Sequence, residues 1–142
     1  MRQITHATTL RGEPQSVFAL LSHVPNFVDL CDHVEDIEEL GDDRYRWTIR
    51  AAGFTLHFEV EVCASEPPAY FAWRSLSGIE NRGSYRLYPA EPGHTRVEFE
   101  LEYRLRNLLL EAAVRRATQS LVERVSAQLM ARVQARLDAD LV

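Results

Sequence analysis

Phe54-Thr55-Leu56-His57-Phe58-Glu59-Val60-Glu61-Val62 alternates along its whole length. Phe54, Leu56, Phe58, Val60 and Val62 form one set, and Thr55, His57, Glu59 and Glu61 form the other. Side chains of a strand point to opposite faces with a period of two, so this stretch reads as a strand with one apolar and one wet face. Val97–Tyr103 repeats the pattern, with Glu98, Glu100 and Glu102 interleaved among Val97, Phe99, Leu101 and Tyr103. A sheet of such strands needs a cover for its apolar side.

The end of the chain supplies one. From Asn107 onward Leu110, Val114, Ala117, Leu121, Val125, Leu129, Val133 and Leu137 recur at spacings of three and four. Arg115, Arg116, Glu123, Arg124, Arg132 and Arg136 lie opposite them, which predicts an amphipathic helix. About 30 residues of helix run roughly 45 Å. That length lies across a whole sheet or pairs with a second copy of the chain, so a homodimer is one expectation.

Glycine and proline punctuate the rest; all twelve fall at breaks in the periodicity, and none follows Gly93. Arg2–Leu10 reads as a first strand. Glu13-Pro14 opens a helix with Val17, Phe18, Leu20 and Leu21 on its apolar side, and Pro25 restarts a short helix over Asn26–Cys31. Val34–Leu40, Arg44–Arg50, Phe54–Val62, Tyr70–Leu76, Ser84–Tyr88 and Thr95–Leu105 then read as strands. Short turns separate them, apart from a loop over Ser77–Gly83. The prediction is an α+β domain spanning 1–142: a bent seven-stranded antiparallel sheet, two short helices after the first strand, and a long C-terminal helix across the concave face.

Composition narrows the function. The net charge of -5 argues against binding nucleic acid through its phosphates. All sixteen basic residues are arginine, which excludes Schiff-base chemistry on lysine. Cys31 and Cys63 form neither a disulfide framework nor a zinc site, and a reduced, cytoplasmic state is expected. The first residues lack a secretory h-region, and no run approaches the roughly 18 apolar residues of a membrane span. His6, His23, His33, His57 and His94 show no paired spacing, so neither a metal nor a cofactor is expected. There is no G-x-S-x-G elbow and no phosphate loop.

Several strings, in this order, resemble the START-like, helix-grip (SRPBCC) superfamily. They are Pro14–Ser22, Val24-Pro25-Asn26-Phe27, Val34–Gly41, Tyr45-Arg46-Trp47-Thr48, Pro67–Gly78, Gly83–Leu87 and Thr95–Phe99. The likeness runs from about residue 4 to residue 135 and is greatest to the bacterial polyketide cyclase/dehydrase and coenzyme Q-binding-like branch. It implies a cavity between sheet and helix for an apolar or aromatic guest such as a lipid, a quinone or a polyketide. In cyclases, arginine and tyrosine or tryptophan near the cavity position the substrate.

On this reading Trp47, Phe58, Trp73, Arg74, Ser75, Asn81, Arg86, Tyr103, Leu121 and Val125 are the candidate ligand-binding residues. Trp47 and Trp73 either touch a ligand or fill the core. Arg74 and Arg86 either face solvent or turn inward toward a ligand oxygen. Leu121 and Val125 belong to the core or to the cavity, which in this architecture overlap. Phe54, Phe58, Trp47, Trp73, Phe99 and Tyr103, all pointing inward, would close the cavity altogether. Three functions follow. The first is a carrier of a hydrophobic small molecule. The second is an aromatase/cyclase or dehydratase. The third, after the toxin-like relatives, is a protein-interaction module with an exposed apolar patch on Asn26–Cys31 or on the last turns of the terminal helix.

Overall fold

The computed structural model describes the backbone of residues 2–51 and 53–139, and their side chains except at 2, 51, 110 and 113–126. β1 (Arg2–Arg11) leads into α1 (Pro14–Ser22), a 3₁₀ turn (Val24–Asn26) and α2 (Phe27–Leu30). β2 (Val34–Gly41), β3 (Arg44–Ala51), β4 (Phe54–Glu66), β5 (Tyr70–Gly78), β6 (Glu80–Pro89) and β7 (His94–Arg104) follow, and α3 (Leu108–Ala139) ends the chain. The sheet order is β1-β7-β6-β5-β4-β3-β2 with every neighbour antiparallel. The six later strands form the expected meander, and β1 joins β7, so β1 and β2 are the edges.

Local chemistry explains the turns. Asp42 and Asp43 both have positive φ, 52° and 60°. This is the type I′ arrangement, whose twist matches that of the flanking strands. The expected loop over Ser77–Gly83 is much shorter, because β5 continues to Gly78 and β6 begins at Glu80. Gly78 makes this possible. Its φ is +78°, and a Cβ there would collide with the backbone of His57 and Phe58 on β4. Gly83 is not punctuation either. It lies inside β6, and a Cβ would run into the Trp73 indole.

The filled core occupies one end of the concave face. Leu10, Leu87 and Val97 of the sheet meet Val17, Phe18 and Leu21 of α1 and Met130, Val133 and Leu137 of α3. Val17 and Val133 are fully buried. Thr95 is buried with them, and its hydroxyl donates to the Gly12 carbonyl at 2.8 Å. The C-terminal half of α3 is fastened at both sides. Gln134 accepts from the Arg11 amide at 2.9 Å and donates to the Arg11 carbonyl at 3.0 Å. Arg132 pairs with Asp32 at 2.8 Å, and Arg136 with Asp29 at 3.3 Å.

The convex face carries the wet sets. Arg46 bridges Glu38 and Glu59 at 3.1 and 2.8 Å, and Arg82 meets Glu102 at 2.6 Å. Cross-strand pairs of this kind fix register more than they add stability. Among the described residues Phe27, Leu30 and Cys31 and, in the last turns of α3, Met130, Val133 and Leu137 are buried, so of the apolar side chains expected to form a patch there only Val28 is exposed as a large one. The most exposed large apolar residues described are instead Leu108 and Leu109, in the first turn of α3. No helix among the described residues is long and apolar enough to cross a membrane.

Candidate functional site: an apolar cavity

The other end of the concave face is hollow. A cavity of about 350 Å³ lies between the sheet and the helices. Its walls come from inward sets that the strand period creates. β3 gives Trp47 and Ile49; β4 gives Leu56, Phe58, Val60 and Val62; β5 gives Phe71 and Trp73; β7 gives Phe99, Leu101 and Tyr103. Tyr85 of β6, Phe27 and Cys31 around α2, and Leu129 of α3 complete much of the enclosure.

The aromatic side chains hold one another against the walls and leave the middle open. Trp47 stacks on Phe58 with centroids 5.7 Å apart and meets Phe27 at 5.9 Å. Phe27 stacks on Tyr85 at 6.3 Å, and Tyr85 meets Phe99 at 5.3 Å and Trp73 at 5.6 Å. Offset and tilted contacts at these distances are favourable geometries for rings. Phe54 takes no part. It stands at the β3–β4 turn, half exposed and outside the lining.

Polar groups are few and mostly committed. The Asn81 side chain is buried; its Oδ1 accepts from Trp73 Nε1 at 3.3 Å and its Nδ2 donates to the Ile79 carbonyl at 2.8 Å. The Asn81 amide donates to Ser75 Oγ at 2.9 Å. Ser75 therefore buttresses Asn81 and does not itself line the cavity. His33 Nδ1 lies 2.9 Å from the Arg50 carbonyl. A carbonyl only accepts, so Nδ1 carries a proton and donates it to this bond. Burial pushes the Cys31 thiol and the Tyr85 phenol up, so both stay neutral at pH 7. Among the described residues Trp47 Nε1 and the Tyr103 hydroxyl are buried without a hydrogen-bond partner. Among the described residues no three His, Cys, Asp or Glu gather to hold a metal ion.

Of the residues singled out from sequence, Trp47, Phe58, Trp73, Asn81 and Tyr103 line this cavity. Arg74 and Arg86 take the outward alternative. Arg74 Nε donates to Glu61 at 2.7 Å, and the Arg86 guanidinium lies 4.4 Å from the Tyr70 ring centroid. The reason is register. Trp73 and Tyr85 point inward, so the residue after each points outward. The side chains of Leu121 and Val125 lie outside the described residues. Tyr85 and Phe27 were missed. The alternation Gly83, Tyr85, Leu87 signals the first, but the position of Phe27 depends on how α2 folds over the sheet.

A sequence profile of the family described as polyketide cyclase / dehydrase and lipid transport matches residues 1–138. No curated protein matches the chain in sequence. Among solved structures, a protein from Deinococcus radiodurans is 29% identical, with a TM-score of 0.64 over 92% of this chain and 99% of that one. The Zhui aromatase/cyclase from Streptomyces sp. R1128 is 18% identical, with a TM-score of 0.77 over 99% and 96%. A START superfamily protein from Mycobacterium smegmatis is 12% identical, with a TM-score of 0.75 over 94% and 97%. At these last two identities the likeness speaks for the helix-grip fold alone. With the profile covering nearly the whole chain, the protein belongs to the polyketide cyclase/dehydrase and lipid transport family.

Proposed function

We propose that this protein is a non-enzymatic, cytoplasmic carrier of an aromatic or otherwise apolar small molecule, held between the sheet and α3. The observation that carries this reading is the cavity of about 350 Å³ walled by a belt of stacked rings. Small-molecule sites of about 300–1,000 Å³ are concave, mostly apolar and equipped with a few placed polar groups. The described lining holds no carboxylate, and its one buried amide is spent on Trp73 and Ile79. Proton transfer needs an acid or base within reach of the reacting atom, and among the described lining residues His33 is the one imidazole.

Extraction of the purified protein into organic solvent, followed by mass spectrometry, tests this. The stripped protein is then titrated with a panel of apolar aromatics. One retained or acquired molecule per chain is expected, and no binding across the panel would refute the reading. A second reading, ring closure or dehydration of a polyketide-like chain, draws support from the family description and from His33, an imidazole among the lining residues whose Nδ1 is engaged by the Arg50 carbonyl. Incubation with a linear poly-β-ketone thioester separates the two, since only the second predicts a cyclised product that disappears in His33→Ala.

A further inference from the structure

Leu108 and Leu109 are 79% and 78% exposed, whereas no other large apolar side chain described exceeds 44%. A helix cap holds them there. The Leu109 amide donates to Asn107 Oδ1 at 3.0 Å and the Glu111 amide to the Asn107 carbonyl at 2.8 Å, so the first turn of α3 presents both leucines to solvent. Their surroundings are cationic. Arg104 and Arg106 face one carboxylate between them, Glu80, at 3.9 and 3.8 Å, and the Arg106 side chain is 82% exposed. Residues 104–116 hold four arginines and one glutamate, a net charge of +3 in a chain whose total is -5. The turn also adjoins the cavity, because Leu101, Tyr103 and Leu105, just before it, line the chamber.

We propose that this turn is a peripheral docking site for an anionic lipid bilayer. Leu108 and Leu109 enter the boundary between headgroups and acyl chains, and Arg104 and Arg106 meet the lipid phosphates. Apolar side chains beside basic ones are the combination that binds such an interface, and each basic residue near it strengthens binding about fivefold. Other partners fit less well. Nucleic acid offers the charge but no apolar layer for the leucines. In a symmetric contact with a second copy the arginines of each chain would face those of the other. Two leucines also fall far short of the roughly 800 Å² that a standard interface takes from each partner. Docking brings the rim of the chamber to a membrane, a source of apolar molecules, but the site itself does not rest on the carrier reading.

Cosedimentation of the full chain with vesicles of phosphatidylcholine, with and without one-third phosphatidylglycerol, tests this. Binding to the anionic vesicles is expected to be at least about tenfold tighter than to the neutral ones, and to weaken as salt rises. Leu108→Ser combined with Leu109→Ser should lower affinity for anionic vesicles at least about tenfold, because two apolar side chains no longer leave water. Arg104→Gln combined with Arg106→Gln should lower it about 25-fold at low salt. Leu40→Ser, an exposed apolar position at the opposite end of the sheet, should leave it unchanged. These side chains are exposed, so the thermal midpoints of all variants should stay close to that of the natural protein. Equal binding to both compositions, no binding at all, or leucine variants that bind like the natural protein overturns the proposal. So does a dimer that comes apart when both leucines are replaced, which assigns the turn to a second copy. The carrier reading is tested separately by ligand extraction and survives each of these outcomes.

Discussion

Gly83 is small because Trp73 is large. The indole lies against β6 where any Cβ at position 83 would stand, and from there its N–H reaches Asn81 at 3.3 Å. Gly83→Ala must therefore push the ring toward the cavity and stretch that hydrogen bond. Overpacking of this kind costs about 1–3 kcal/mol. The expected result is a lower thermal midpoint, a shifted tryptophan emission and weaker uptake of an apolar ligand. Trp73→Phe combined with Gly83→Ala should recover part of the loss, and a double-mutant cycle measures that coupling. Strictly additive effects would show that the glycine serves the strand and not the ring. Nothing in a single sequence distinguishes a glycine that makes a turn from one that makes room, which is why Gly83 reads as punctuation. The inward faces of Trp47, Trp73 and Tyr103 are legible from alternation. The partner of each polar tip is not, because it depends on the neighbouring strand and its register.

The elements meet where sequence is least informative. Periodicity shows that α3 is amphipathic, but it gives neither its axial position nor its direction over the sheet. Gln134 settles both by grasping the amide and the carbonyl of Arg11, 123 residues away. Arg11 ends β1, an edge strand, so its outward backbone groups have no strand to pair with. A side-chain amide is the one group that offers a donor and an acceptor together in that spacing. Gln134→Glu retains the shape but only accepts, and it sets a carboxylate oxygen against the Arg11 carbonyl. Gln134→Leu loses both bonds. Each variant is expected to lower unfolding free energy by about 1–2 kcal/mol in chemical denaturation. The protection of the Arg11 amide against hydrogen exchange should fall in Gln134→Leu and survive in Gln134→Glu. The ion pairs of Arg132 and Arg136 contribute less, because they are exposed and screened by salt.

Across the whole molecule one groove is used in two ways. At one end α1 and the last turns of α3 fill it with Val17, Leu21, Val133 and Leu137, as a folded domain of this size requires. At the other end the rings line the walls and leave a void that costs stability, since lining atoms without partners forfeit dispersion contacts. The meander, the edge position of β1 and the covering helix were legible in the sequence, because period and turn chemistry dictate them. The open state of the chamber was not, because the same inward rings could fill it or stand around it, and only their mutual stacking decides. Val60 provides the test. It is 3% exposed, lines the cavity and lies on β4 between the paired Tyr45 and Ser75. In a filled core Val60→Phe would overpack and destabilise by about 1–3 kcal/mol. Beside a void the added ring gains buried apolar area, so the thermal midpoint should hold or rise by a few degrees. The same ring takes up ligand space, and affinity for an apolar aromatic should fall at least about tenfold. Glu100→Gln, on the convex face of β7, should leave binding unchanged. A Val60→Phe protein that is both stable and binds as tightly as the natural one would place the ligand elsewhere.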